Sequence, residues 1–232
     1  LQRIVFFLLL LATFFLIFIL GTRGALLGMV ICFSIYIFDL FKNNFELKNK
    51  IKSASIILFA LIVSTIFNLI VLKDTSSKNV LNRAASISLS TNDGSVNQRL
   101  RYYKQGLQQF KENPLMGVGL GNWKLNSIEY DKNDISGYVI PYHAHNDFIQ
   151  ILAEQGFFGM FFYLMIFLST LAFIFKNKIL DSYDTRFVVL LSMILVFILD
   201  SMLNFPIARP INQIQIMLVL SSVIINKIDN EK

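Results

Sequence analysis

The sequence predicts an all-α integral membrane protein, with about six transmembrane helices and one long, partly helical external loop. Two observations carry that reading. The 232 residues are 55% hydrophobic and only 16% charged, with mean hydropathy +0.59, whereas average soluble domains carry about 25% charged residues. The apolar residues also come in runs close to the length, about 20 residues, that takes a helix across about 30 Å of hydrocarbon. This excludes an ordinary soluble enzyme, a disordered segment and a disulfide scaffold, since a single cysteine, Cys32, can form no internal disulfide. The chain opens at Leu1, without the short apolar core and small-residue cleavage site of a signal peptide. It reads as the C-terminal part of a longer protein.

The elements follow in order. Apolar runs at 4–20 and 25–40 form the first two spans. As one helix they would measure about 50 Å, too long for one crossing, so Gly21-Thr22-Arg23-Gly24 is read as a tight turn. The third span covers 53–72, the fourth runs from Asp147 to Phe175, and the fifth and sixth cover 187–205 and 211–225. Residues 1–72 thus hold three helices, 73–146 form the loop, 147–226 hold three more helices and 227–232 are a tail.

Sidedness follows from Lys and Arg in short connections. Arg3, Lys48, Lys52, Lys178 and Arg186 fall on one side, the cytoplasm, together with the tail. The short turns of the other side hold only Arg23 and Arg209. The long segment 73–146 then faces outward, which in a Gram-negative cell is the periplasm. The net charge of +6 is mostly topology, and no nucleic-acid partner is expected. Within the loop, 73–98 is rich in Ser, Asn and Thr, and 97–113 reads as an amphipathic helix with Leu100, Tyr103, Leu107 and Phe110 on its apolar stripe. Residues 114–122 are turn-rich, with Gly117, Gly119 and Gly121, and a polar stretch holds Asp131 and Asp134. A loop of this length is uncommon unless it has a function.

Residues able to do chemistry gather at the outer face. Both histidines, His143 and His145, stand at the mouth of the fourth span. A helix starting there would put His145, Ile149, Leu152, Gly156 and Gly159 on one face, with the two glycines admitting another helix. Asn146, Gln150 and Glu154 would form a polar stripe, a costly arrangement in lipid unless it faces the bundle interior. Arg23 either snorkels to headgroups or turns inward to hold a phosphate bidentately. Arg99 lies about 60° from the centre of the loop helix's stripe and Arg101 about 140° away, at 100° per residue. Asp200 and Asn204 are four apart on the fifth span, with Arg209 just beyond, and either line the same cavity or pair with other helices. Neighbours two apart diverge on a helix, so His143 and His145 suggest no metal site, and no cofactor is expected.

Together these pieces resemble the O-antigen ligase family of membrane glycosyltransferases, which also includes O-antigen polymerases and protein O-oligosaccharyltransferases. His145-Asn146, nine residues, Gly156, two residues and Gly159 match the family's histidine motif. Thr22-Arg23-Gly24-Ala25 is similar to its Ser-Arg-Gly-Ala motif, and Pro114-Leu115-Met116-Gly117-Val118-Gly119 to its Pro-Leu-Leu-Gly-Val-Gly turn. Its loop helix with an essential arginine resembles Gln98–Tyr103, with Arg99 or Arg101 as that arginine. Thr22 departs from the usual Ser, and Tyr103 stands where Leu or Trp is common.

The resemblance implies transfer of a glycan from undecaprenyl diphosphate to an acceptor hydroxyl, without a metal, inverting the anomeric centre at the outer face of the bacterial inner membrane. His145 would be the general base, while Arg23 with Arg99 or Arg101 would hold the donor diphosphate. His143, Asn146, Gly156 and Gly159 would support them. The favoured acceptor is lipid A-core, as in lipopolysaccharide biosynthesis. A second lipid-linked glycan (polymerase) or a protein hydroxyl (oligosaccharyltransferase) are the alternatives. A transporter is the rival from another class, but it would place ionisable groups near the midplane of an inverted repeat, and no repeat is visible.

Overall fold

The computed structural model describes residues 2–20, 22–42, 47–71, 94–131, 141–176 and 185–230. All regular structure among them is helical. The chain divides into two units, Leu1–Leu89 and Ser90–Lys232. Among the described residues, three helices are long and apolar enough to cross a membrane, Arg23–Phe41, Ile51–Val71 and Asp147–Phe175, and Ile4–Leu20 and Val188–Leu203 are shorter apolar helices. The predicted loop residues at 73–93 and the polar stretch around Asp134 lie outside the described residues.

In the first unit, α1 (Gln2–Leu20), α2 (Arg23–Lys42) and α3 (Leu47–Val71) pack around Phe14, Phe18, Leu26 and Ala60. Ser64 donates from α3 to the Leu11 carbonyl of α1 across 3.3 Å, giving its hydroxyl a partner in apolar surroundings. The second helix begins within the expected turn at residues 21–24, of which Gly21 lies outside the described residues. Arg23 and Gly24 already belong to α2, and the Leu26 N–H donates to the Thr22 carbonyl at 3.2 Å. Arg23 therefore sits in the first turn of a helix, where N–H groups lack intrahelical partners.

The described residues of the second unit form α4 (Gly94–Glu112), α5 (Trp123–Asp131), α6 (Asp147–Lys176), α7 (Thr185–Leu203), a short 3-10 turn (Pro206–Ala208) and α8 (Pro210–Asn230). Tyr163, Phe167, Ile174, Ile194, Phe197 and Val219 form a core shared by α6, α7 and α8. The expected fourth span needs correction. Gly156 has φ 64° and ψ −157°, a conformation inside α6 that is not helical and is essentially confined to glycine. In a straight helix Phe148 and Tyr163 would be about 22 Å apart, yet their ring centroids are 5.3 Å apart, and Phe148 also lies 6.1 Å from Phe167. The helix therefore folds back on itself at Gly156. Although Asp147–Phe175 is long and apolar enough for a span, only 157–175, about 28 Å at 1.5 Å per residue, forms one straight crossing length.

The loop turn completes the break. Uninterrupted, α6 would join the N–H groups of Phe157 and Phe158 to the carbonyls of Ala153 and Glu154. Instead, Phe157 donates to the Pro114 carbonyl at 2.8 Å and Phe158 to that of Leu115 at 3.4 Å. The vacated carbonyls of Ala153 and Glu154 accept from Val118 and Gly119 at 3.0 and 2.7 Å. A Cβ on Gly156 would lie 2.4 Å from the Leu115 oxygen, and one on Gly117 2.4 Å from the Glu154 carbonyl carbon. Gly156 therefore serves backbone contact with a turn, not the approach of another helix. Gly159 does not admit a helix either, since its added Cβ would meet the side chain of Gln155.

The amphipathic loop helix exists, but it buries a different face. Tyr102, Gln105, Gly106 and Gln109 are buried, whereas Leu100 is 50% and Leu107 43% exposed. A Cβ on Gly106 would come within 2.5 Å of Ile149, so α4 packs closely against the first half of α6.

Gly156→Ala should cost about 3 kcal/mol or more, combining left-handed strain with loss of the exchanged hydrogen bonds. Gly121, at φ 76°, has open space around its added Cβ, so Gly121→Ala should cost only about 1–2 kcal/mol. Thermal unfolding of both variants in detergent checks the difference; equal losses would contradict it.

Candidate active site

The histidine segment enters α6 through a strained residue. His145 has φ 55°, the single positive φ of a non-glycine among the described residues, a state that side chains other than those of Asn, Asp and His seldom adopt. It precedes α6 instead of lying on the helical face expected for it. Its neighbours fix the geometry. Asn146 caps α6 by accepting from the Ile149 N–H at 3.1 Å, satisfying one of the orphan donors of the first turn. The Tyr103 hydroxyl donates towards the His145 carbonyl at 3.2 Å and that of Met202 at 3.4 Å. Gln150 accepts from the Ala144 N–H at 3.2 Å.

Of the polar stripe expected on this helix, Asn146 and Gln150 are half-buried and Glu154 is buried, and this innermost member is structural. Glu154 accepts from the N–H groups of Gly121 and Trp123, each at 3.0 Å, and from Gln150 at 3.4 Å. A carboxylate there suits the positive end of α5. Asp147, fully buried, accepts from the Ile207 N–H at 3.0 Å. It thereby ties the start of α6 to the 3-10 turn between α7 and α8. Asp200 serves pairing, taking hydrogen bonds from Asn204 at 2.6 Å and from Asn212 of α8 at 3.4 Å.

An aromatic cluster then assembles. The Phe205 ring stacks on His143 at 4.3 Å and meets His145 edge-on at 5.0 Å, while Tyr102 stacks on His145 at 6.5 Å. The Arg209 guanidinium lies 4.5 Å over Phe205. Phe205 and Arg209 complete the histidine cluster yet lie sixty or more residues from His145 along the chain; only the position of Arg209 just past an apolar run marked it beforehand.

Electrostatics keep both imidazoles neutral. Burial lowers the pKa of His145, and the positive charges of Arg99, His143 and Arg209 lower it further. Burial likewise lowers that of His143 and outweighs the opposing hydrogen bond to Gln150 and the Glu154 charge. Arg99 is therefore the loop arginine whose charge reaches His145. Arg101 instead lies 5.6 Å over the Tyr102 ring. Arg23 belongs to the first unit; the other candidate residues all lie in the second.

Helices of membrane-crossing length, in a chain whose described regular structure is all helical, mark a membrane protein. Residues 6–164 match the O-antigen ligase family, and the chain belongs to that family. A comparison with curated proteins finds no match. The matched stretch includes Arg23, Arg99, His145 and Gly156 but ends before Phe205 and Arg209.

The chain has two histidines, so 15N-histidine labelling reports both. Each should titrate with a midpoint below 6.5, being neutral at pH 7 and gaining its proton only at lower pH. Arg99→Met should raise the His145 midpoint, while Arg101→Met should leave it in place. A His145 midpoint at or above 6.5 in the unaltered chain would contradict the assignment.

Proposed function

We propose that this O-antigen ligase family member is a membrane glycosyltransferase whose donor is a glycan on undecaprenyl diphosphate. The observation that carries the reading is a strained, half-buried His145 beside the charge of Arg99 in a chain of this family. The donor's anomeric carbon is already activated, because diphosphate is a good leaving group. The protein's remaining tasks are to take a proton from the acceptor and to stabilise charge on the departing diphosphate.

His145 takes the first task. A neutral imidazole accepts the hydroxyl proton as the acceptor oxygen forms its bond to the anomeric carbon. The bond from that carbon to the diphosphate oxygen breaks, its electron pair leaves with the diphosphate, and the configuration inverts. Arg99 and Arg23 take the second task. Guanidinium groups bind phosphate oxygens in pairs and gain strength as charge builds on them. His143 buttresses the site through Phe205, and Asn146 and Gly156 fix the helix that carries the base. The site faces the periplasm of the inner membrane, and the acceptor is the lipid A-core of lipopolysaccharide.

His145→Ala should lower glycan transfer by about 100-fold or more, the usual contribution of a general base, without changing expression or membrane insertion. Lipopolysaccharide banding in a deletion strain complemented with each variant reads this directly, and normal banding from His145→Ala would remove the base assignment. Unchanged banding in the deletion strain itself would redirect the acceptor to a second lipid-linked glycan or a protein hydroxyl. Arg23→Lys should lower transfer about tenfold or more, because an ammonium lacks the planar fork.

A further inference from the structure

We propose that Arg209 is a further donor-binding arginine, contacting the diphosphate of a polyprenyl-diphosphate donor together with Arg99; this rests on the function proposed above. The two come from different elements, Arg99 from α4 and Arg209 from the end of the 3-10 turn before α8. Arg209 is exposed and its guanidinium carbon lies 4.5 Å over the Phe205 ring. The same ring touches both imidazoles, at 4.3 and 5.0 Å. Its charge acts on His143 and His145 alike.

Arg209 also keeps its donors available. Its backbone is committed, donating to the Pro206 carbonyl at 3.0 Å and accepting from Asn212 and Gln213. Among the described residues its guanidinium makes no hydrogen bond and no ion pair; it sits over the face of Phe205. An aromatic face accepts no conventional hydrogen bond, so the N–H groups of the guanidinium remain open to a further ligand. A cation held beside a neutral base, with unspent donors, suits an anion that arrives with the substrate.

The position of Arg209 is built, not incidental. Ile207, two residues earlier, donates its N–H to buried Asp147 at 3.0 Å, and its carbonyl accepts from Gln213 at 2.6 Å. Asp147 is itself two residues from His145. The arginine and the proposed base are thus fixed to one backbone junction. A diphosphate has oxygens on two phosphorus atoms, so guanidinium groups from two elements can each take one phosphate.

The test uses farnesyl diphosphate as the probe and farnesol as its uncharged counterpart, each titrated against the full chain in detergent. Arg209→Met, which keeps the bulk but not the charge, should weaken farnesyl diphosphate binding by about tenfold or more and leave farnesol binding unchanged. Arg209→Lys should recover part of the loss. Equal binding of the diphosphate by Arg209→Met and the unaltered chain would overturn the proposal. So would an equal loss for both lipids, which would make Arg209 a packing residue, or an unaltered chain that binds both lipids alike. His145→Ala keeps the two readings apart. If it still transfers glycan, the base assignment fails while the binding comparison stands.

Discussion

The second unit depends on a backbone exchange at Gly156. Where α6 breaks, two carbonyls and two N–H groups lose their partners inside the helix, and all four find new ones in the turn from Pro114 to Gly119. Left unpaired in apolar surroundings, each would cost several kcal/mol. The reversal of α6 and the docking of the turn therefore form together or not at all. The turn carries α4 before it and α5 after it, so the exchange also brings Tyr102, Tyr103 and Arg99 to the segment preceding α6. Glu154 reinforces the junction by capping the first N–H groups of α5.

The histidine cluster shows how such a frame holds strain. A left-handed residue costs about 1–2 kcal/mol and persists only where its surroundings over-determine it. Around His145 those surroundings are the Asn146 cap, the Tyr103 hydroxyl on its carbonyl and the Asp147 link to Ile207. Each comes from a different element. The imidazole is consequently presented by backbone geometry, while burial and nearby guanidinium charge keep it neutral.

Much of this was legible in sequence. Hydropathy gave the apolar helices, glycine spacing gave the turn, and the motif around His145 gave the family. The error in the fourth span comes from the assumption that an apolar run is one straight helix. Periodicity cannot show a reversal, because Gly156 sits in the run without interrupting its hydrophobicity. The buried face of α4 was misjudged because Gln105, Gly106 and Gln109 look like a solvated face by composition; close approach to Ile149 decided otherwise. Phe205 and Arg209 could not be placed at the cluster, because their partners are set by a long-range hydrogen bond from Ile207 to Asp147.

The nine residues between Asn146 and Gly156 act as a ruler. Asn146 sets where the helix begins, and the turn from Pro114 sets where it must stop. One inserted residue would advance the stop by about 1.5 Å and rotate it by about 100°. The carbonyls of Ala153 and Glu154 would then face away from Val118 and Gly119. The distance from imidazole to glycine in this motif is thus a mechanical tolerance, and changes in its length should be harder to accommodate than changes in most of the side chains it spans.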